Sequence, residues 1–107
     1  MSDRPRVVVT GLGLVTPVGL NVEESWSALL AGVSGAGPIT QFDASDHPVR
    51  FACEVKDFDP EEYMDRKEAR RADRFLQFAM ATAVQAAEQA DLEGIMRATA
   101  PERVGVI

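Results

Sequence analysis

VVVTGLGLVTPVG, residues Val7 to Gly19, is the stretch that decides how this chain is read. Three consecutive valines and Thr10 make a short apolar, β-branched run, which suits a strand buried on both faces of a parallel sheet. Gly11, Gly13, Pro17 and Gly19 follow. That set lets the backbone bend tightly and approach other backbone closely. Asn21 then opens a helix. The N-terminal segment is therefore expected to run strand, glycine loop, helix, the opening half of a βαβ unit.

A glycine loop after a strand invites a nucleotide-binding reading. The dinucleotide fingerprint G-x-G-x-x-G needs a third glycine where Thr16 stands. The helix also begins late, after Pro17 and Gly19, too far along to point its N-terminus at a pyrophosphate. No G-x-x-x-x-G-K-[ST] occurs anywhere in the chain. The preferred reading is a tight turn from a buried strand onto the sheet edge.

Moving outward, Asn21 is a suitable N-cap, with Glu24 three positions on as its reciprocal partner. Val22, Trp26, Leu29, Leu30 and Val33 share one side at helical spacing, so this helix is expected to bury that face. Gly32 and Gly35 end it. Gly35 to His47 reads as irregular, since Pro38, Asp43, Ser45, Asp46 and Pro48 disfavour regular structure. Phe51 to Val55 suits a short strand, and Pro60, Glu61 and Glu62 suit a first helical turn. A long helix is expected from Arg66 to Asp91. On it Ala69, Ala72, Leu76, Ala79, Met80, Ala83, Ala86, Ala87 and Ala90 form one close-packing face. Leu92 to Ala100 reads as a loop or short turn around Gly94. Arg103 to Ile107 then opens a second buried strand.

A chain of 107 residues has the length of one small domain, and no internal boundary, repeat or low-complexity segment divides it. Its net charge of −6 argues against general nucleic-acid affinity, which shows as a basic domain. No apolar run approaches the ~20 residues of a membrane span. MSDRPR leads directly into strand residues, so no signal peptide is expected. The single cysteine excludes an internal disulfide and fits a reducing compartment, so a cytoplasmic location is expected.

Little catalytic chemistry is legible. Cys53, inside FACEV, reads as a buried or half-buried strand residue. A pair with His47 would need an orienting group and an oxyanion hole that nothing in the sequence suggests. One histidine and one cysteine fall short of a zinc ligand set. Asp57/Asp59 and Glu61/Glu62 lack calcium-loop spacing and read as a solvated loop and favourable charge at a helix start. No metal or cofactor is therefore expected. The basic cluster Arg66, Lys67, Arg70, Arg71 and Arg74 is more distinctive. Placed in the first turns of the long helix, its charges would oppose the macrodipole. It reads either as a solvated face partly compensated by Glu68 and Asp73 or as a docking surface for an acidic partner.

The chain resembles the β-ketoacyl-acyl carrier protein synthases. The resemblance runs through VVVTGLGLVTPVG, Trp26, LLAGVSG (Leu29 to Gly35), Ile39, Phe42 and Asp43. It continues through FACEVKDFDPEEY (Phe51 to Tyr63) and RKEARRADRFLQFA (Arg66 to Ala79). It is most similar to the type II condensing enzymes of fatty acid synthesis, and more weakly to polyketide ketosynthases. The resemblance implies an α/β fold, the N-terminal fragment of a thiolase-like αβαβα layered sandwich. Residues 1–107 would be an incomplete N-terminal portion of its first half. It also implies decarboxylative Claisen condensation of an acyl thioester with malonyl-carrier protein. In that family a cysteine is the nucleophile and two histidines assist. Neither Cys53 nor His47 matches those positions, so catalytic residues are expected beyond Ile107 and the fragment alone is expected to be inactive. The implied partners are acyl carrier protein and a second copy of the intact enzyme. Lys67, Arg70 and Arg71 match the family's carrier-docking positions. Arg66 turns away towards Asp73 on the helical projection, and Arg74 is less clearly matched. The alternative is a non-catalytic docking or dimerisation module.

Overall fold

Asn21 caps the first helix by accepting the Glu24 N–H at 2.9 Å. This helix, α1, spans Val22–Leu30 in the computed structural model, which describes residues 3–107. Glu24 reaches back to the Leu20 N–H at 2.9 Å, one residue before the expected partner. At the other end Gly32 takes a φ of 69°, the left-handed geometry glycine adopts at least cost. The Gly32 and Val33 N–H groups then close onto the Leu29 and Ala28 carbonyls, a Schellman ending.

A two-stranded antiparallel ribbon follows. β1 (Gly37–Pro38) pairs with β2 (Phe51–Ala52), with Gly37 opposite Ala52 and Pro38 opposite Phe51. Pro38 disfavours regular structure on sequence grounds. It is tolerated because a two-residue edge strand asks no ladder donor of it. The strand expected over Phe51 to Val55 stops at Ala52. Asp59 then caps a 3₁₀ turn at Pro60–Glu62 through the Glu61 N–H, as the proline and acidic pair imply.

The helix expected from Arg66 to Asp91 is instead broken in two. α2 spans Arg66–Arg71 and α3 spans Arg74–Gln89, with Ala72 and Asp73 extended at ψ 133° and 155°. The break lets the Arg74 Nη2 donate to the Val55 carbonyl at 2.7 Å and sets its guanidinium 4.9 Å from the centre of the Phe78 ring. Beyond α3, Asp91 adopts a left-handed φ of 50° and caps the Gly94 N–H. The segment read as a loop is thereby nucleated as α4, Leu92–Ala98, and a 3₁₀ turn at Pro101–Arg103 follows.

Packing departs most from expectation where a sheet was foreseen. Neither Val7 to Thr10 nor Arg103 to Ile107 is paired as a strand. Val7 is 93% exposed, and Val106 and Ile107 are fully exposed. A parallel strand takes its hydrogen bonds from neighbouring strands, and β1 with β2 is the only sheet among the described residues. On α1 the expected apolar face is also open: Trp26, Leu29, Leu30 and Val33 are exposed, while Ser25 is fully buried. Ser25 packs on the turn at Thr16 to Gly19, its hydroxyl 2.9 Å from the Thr16 Oγ1 and 3.2 Å from the Gly19 carbonyl. Along α3 the inward line is Ala81, Thr82, Gln85 and Ala86, whereas Leu76, Ala79, Met80 and Ala83 face outward. Of the expected face beyond the break, only Ala86, Ala87 and the C-cap Ala90 are partly covered.

The radius of gyration is 18.1 Å, against about 13 Å for a compact domain of this length. Accessible surface is 8829 Å², against about 5,800 Å² for a compact monomer of this mass.

Candidate functional site

The exposed face of α2 carries the densest positive charge. Asp65 starts this helix by accepting from the Lys67 and Glu68 N–H groups at 2.8 and 2.9 Å. Ala69 is its buried contact, at 7% exposure. Lys67, Arg70 and Arg71 stand one turn apart at i, i+3 and i+4, and all three are exposed. With Arg66 they line a shallow depression of about 300 Å³. Among the described residues none of the three has a side-chain hydrogen bond or ion pair.

Their two neighbours differ. Arg66 Nε stands 3.8 Å from the Glu61 carboxylate rather than turning towards Asp73. Arg74 is committed to the Val55 carbonyl and the Phe78 ring. The expected compensation by Glu68 and Asp73 takes no ion-paired form among the described residues. The helix break also reverses an electrostatic expectation. Because α2 ends at Arg71, Arg70 and Arg71 lie in its last turn, where the macrodipole favours positive charge instead of opposing it.

Elsewhere, rings and amides tie the chain together. Phe58 meets Phe78 edge-on at 5.0 Å and stacks on Tyr63 at 6.2 Å. The Gln85 Nε2 donates to the Leu20 carbonyl at 2.7 Å and to the Tyr63 hydroxyl at 3.1 Å. Its Oε1 accepts the Leu14 N–H, and Gln89 Oε1 accepts the Leu12 N–H. The glycine loop therefore lies along α3 rather than on a sheet edge. A Cβ on Gly11 would sit 2.1 Å from the Ala86 carbonyl oxygen, and one on Gly13 would sit 1.8 Å from that of Thr82. The close approach that these glycines allow is to a helix backbone, not to a phosphate.

A cleft of about 620 Å³ lies between Thr16 to Leu20 and Lys56, and neither cysteine nor histidine lines it. Cys53 is exposed and follows β2 instead of lying buried within it. His47 sits edge-on to Phe42 at 5.6 Å. Among the described residues no cluster of histidine, cysteine and carboxylate side chains is arranged to hold a metal. No helix among them is long and apolar enough to cross a membrane.

The model of the β-ketoacyl synthase N-terminal domain matches residues 4–107. The chain belongs to the β-ketoacyl synthase family. It is 54% identical to the 3-oxoacyl-[acyl-carrier-protein] synthase 2 of Coxiella burnetii over 97% of this chain and 25% of that protein. It is 47% identical to the Synechocystis synthase 2 over 98% of this chain and 25% of that one. It therefore spans about a quarter of the length of these β-ketoacyl synthases. A solved structure, the ishigamide ketosynthase/chain length factor, superposes with a TM-score of 0.72 at 39% identity. The match covers 78% of this chain and 21% of that one. The thiolase-like α/β fold expected from the sequence is the fold of this family.

Proposed function

We propose that this chain forms the N-terminal part of a 3-oxoacyl-[acyl carrier protein] synthase and supplies part of its docking face for acyl carrier protein. The observation that carries the reading is the face of Lys67, Arg70 and Arg71, three exposed cations without partners among the described residues. Arg66 and Arg74 beside them are engaged. Unspent charge at a rim accelerates encounter with an oppositely charged partner and gives it a salt dependence. An acidic carrier protein is such a partner. The reaction is decarboxylative condensation of an acyl thioester with malonyl-carrier protein in fatty acid elongation. Its nucleophilic cysteine and two histidines are assigned to sequence outside residues 1–107, an incomplete portion of the first thiolase-like half. The intact enzyme is a cytoplasmic homodimer without a metal or cofactor in this reading.

A second reading, a polyketide ketosynthase, draws on the 39% identity to the ishigamide ketosynthase/chain length factor. The 54% and 47% identities to synthase 2 proteins favour fatty acid elongation.

The test uses a chimera carrying residues 1–107 as the N-terminal quarter of the Coxiella burnetii synthase. Lys67→Glu, Arg70→Glu and Arg71→Glu together are expected to raise KM for carrier-bound substrate at low salt, each by on the order of 1 kcal/mol. Turnover of a small carrier-free thioester stays unchanged. Residues 1–107 alone give no condensation product. Unchanged carrier kinetics in the triple variant would reduce the face to solvated charge.

A further inference from the structure

We infer that Gln77 is the positioning residue of this basic face, fixing the end of α2 on α3 through one side-chain amide; the inference rests on the docking reading above. The last four carbonyls of a helix have no partner inside it, and α2 is only six residues long. A helix that short is not stable on its own, so its direction is set by what holds its ends. Asp65 secures the N-terminal end, but only from the residue immediately before the helix. It says nothing of how α2 sits on α3. Gln77 does. From the first turn of α3 its Nε2 donates to the Ala69 carbonyl at 2.9 Å and to the Ala72 carbonyl at 3.3 Å. An amide NH2 has two hydrogens, so both bonds come from a single group. The two carbonyls bracket Arg70 and Arg71, so the turn that Gln77 holds is the turn that presents two of the three cations. Asp73, between the helices, makes no side-chain cap, which leaves this amide as the side-chain link across the break among the described residues.

In the same chimera, Gln77→Met keeps the length of the side chain and removes both donors, and Gln77→Glu sets a carboxylate against two carbonyls. Each is expected to raise KM for carrier-bound substrate by about fivefold, the scale of one hydrogen bond's worth of positioning. Turnover of a carrier-free thioester stays within about twofold, since the cations act only on carrier encounter. In the Lys67→Glu, Arg70→Glu, Arg71→Glu background, Gln77→Met is expected to have no further effect, because the residue acts through those charges. If the triple variant raises KM and Gln77→Met does not, or if the two effects add, this inference falls and the docking reading survives. If the triple variant changes nothing, the docking reading itself falls, and the inference with it. Loss of carrier-free turnover in both Gln77 variants would make Gln77 a folding residue and overturn the inference.

Discussion

Gly13 shows how a single hydrogen atom decides a contact. A Cβ there would lie 1.8 Å from the Thr82 carbonyl oxygen and 2.6 Å from its carbon, both backbone atoms that cannot rotate aside. Gly13→Ala in the chimera is expected to lose about 1–3 kcal/mol or more by denaturant titration, as overpacking does. Gly37→Ala, which meets nothing within 4 Å, is expected to shift stability by less than about 1 kcal/mol. Equal effects at the two positions would refute the contact. Glu54 carries a pH-dependent contact of the same local kind. The Thr40 N–H chiefly, then the Thr40 hydroxyl, the Gln41 N–H and the Lys56 charge, hold its carboxyl below the ordinary glutamate value. A lowered folded-state value stabilises above the unfolded value, and the contribution is lost as pH falls through the folded one. Glu54→Gln is therefore expected to be less stable than the parent at neutral pH. The gap should close on acidification below the ordinary glutamate range, and a gap that widens there would reverse the sign. Asn21, the turn at Pro60 and the punctuation around Gly32 were legible because each acts within a few residues. Gln77 and Gln85 were not, since a glutamine inside an apolar periodicity gives no local sign of the distant carbonyls it serves.

At the scale of the element, the alanine periodicity from Ala69 to Ala90 is continuous across Ala72 and Asp73, yet the helix is not. Periodicity reports which residues share a side, and a two-residue extension barely disturbs it. Asp73 was the available signal, because aspartate favours the extended N-cap position over a helix interior. The same blindness hid α4, whose start depends on Asp91 in a left-handed conformation. The position of the basic triad was legible, but its electrostatics were not, since the break moved Arg70 and Arg71 from an early turn to a last one. Asp65→Ala removes the double cap on Lys67 and Glu68 and should cost about 1 kcal/mol of stability. It should also raise KM for carrier-bound substrate, as α2 frays beneath its charges, without changing carrier-free turnover. An unaltered KM would show that the face does not depend on α2 being helical.

Across the whole molecule, the apolar content is ordinary while its placement is not. Mean hydropathy is −0.09, yet Val7, Val9, Trp26, Leu30, Phe75 and Ile107 are all exposed, and among the described residues the buried apolar ones are Ala44, Ala69 and Ala81. The surface of 8829 Å² exceeds that of a compact monomer by about 3,000 Å². A standard protein–protein interface removes about 800 Å² from each partner. Covering this excess therefore takes contact on the scale of a domain core, and the family's length, about four times that of this chain, supplies it in the proposed enzyme. Residues 7–9 and 104–107 are the clearest case, being strand-forming sequence without paired strands. Unpaired edges and open apolar faces recruit one another. Residues 1–107 expressed alone are thus expected to self-associate with rising concentration in sedimentation, to bind an apolar dye, and to lack a cooperative thermal transition. The chimera, with those faces covered, should show one. A monomeric residue 1–107 chain with dispersed amide signals and a sharp transition would mean that the valine and alanine faces find cover within the chain itself.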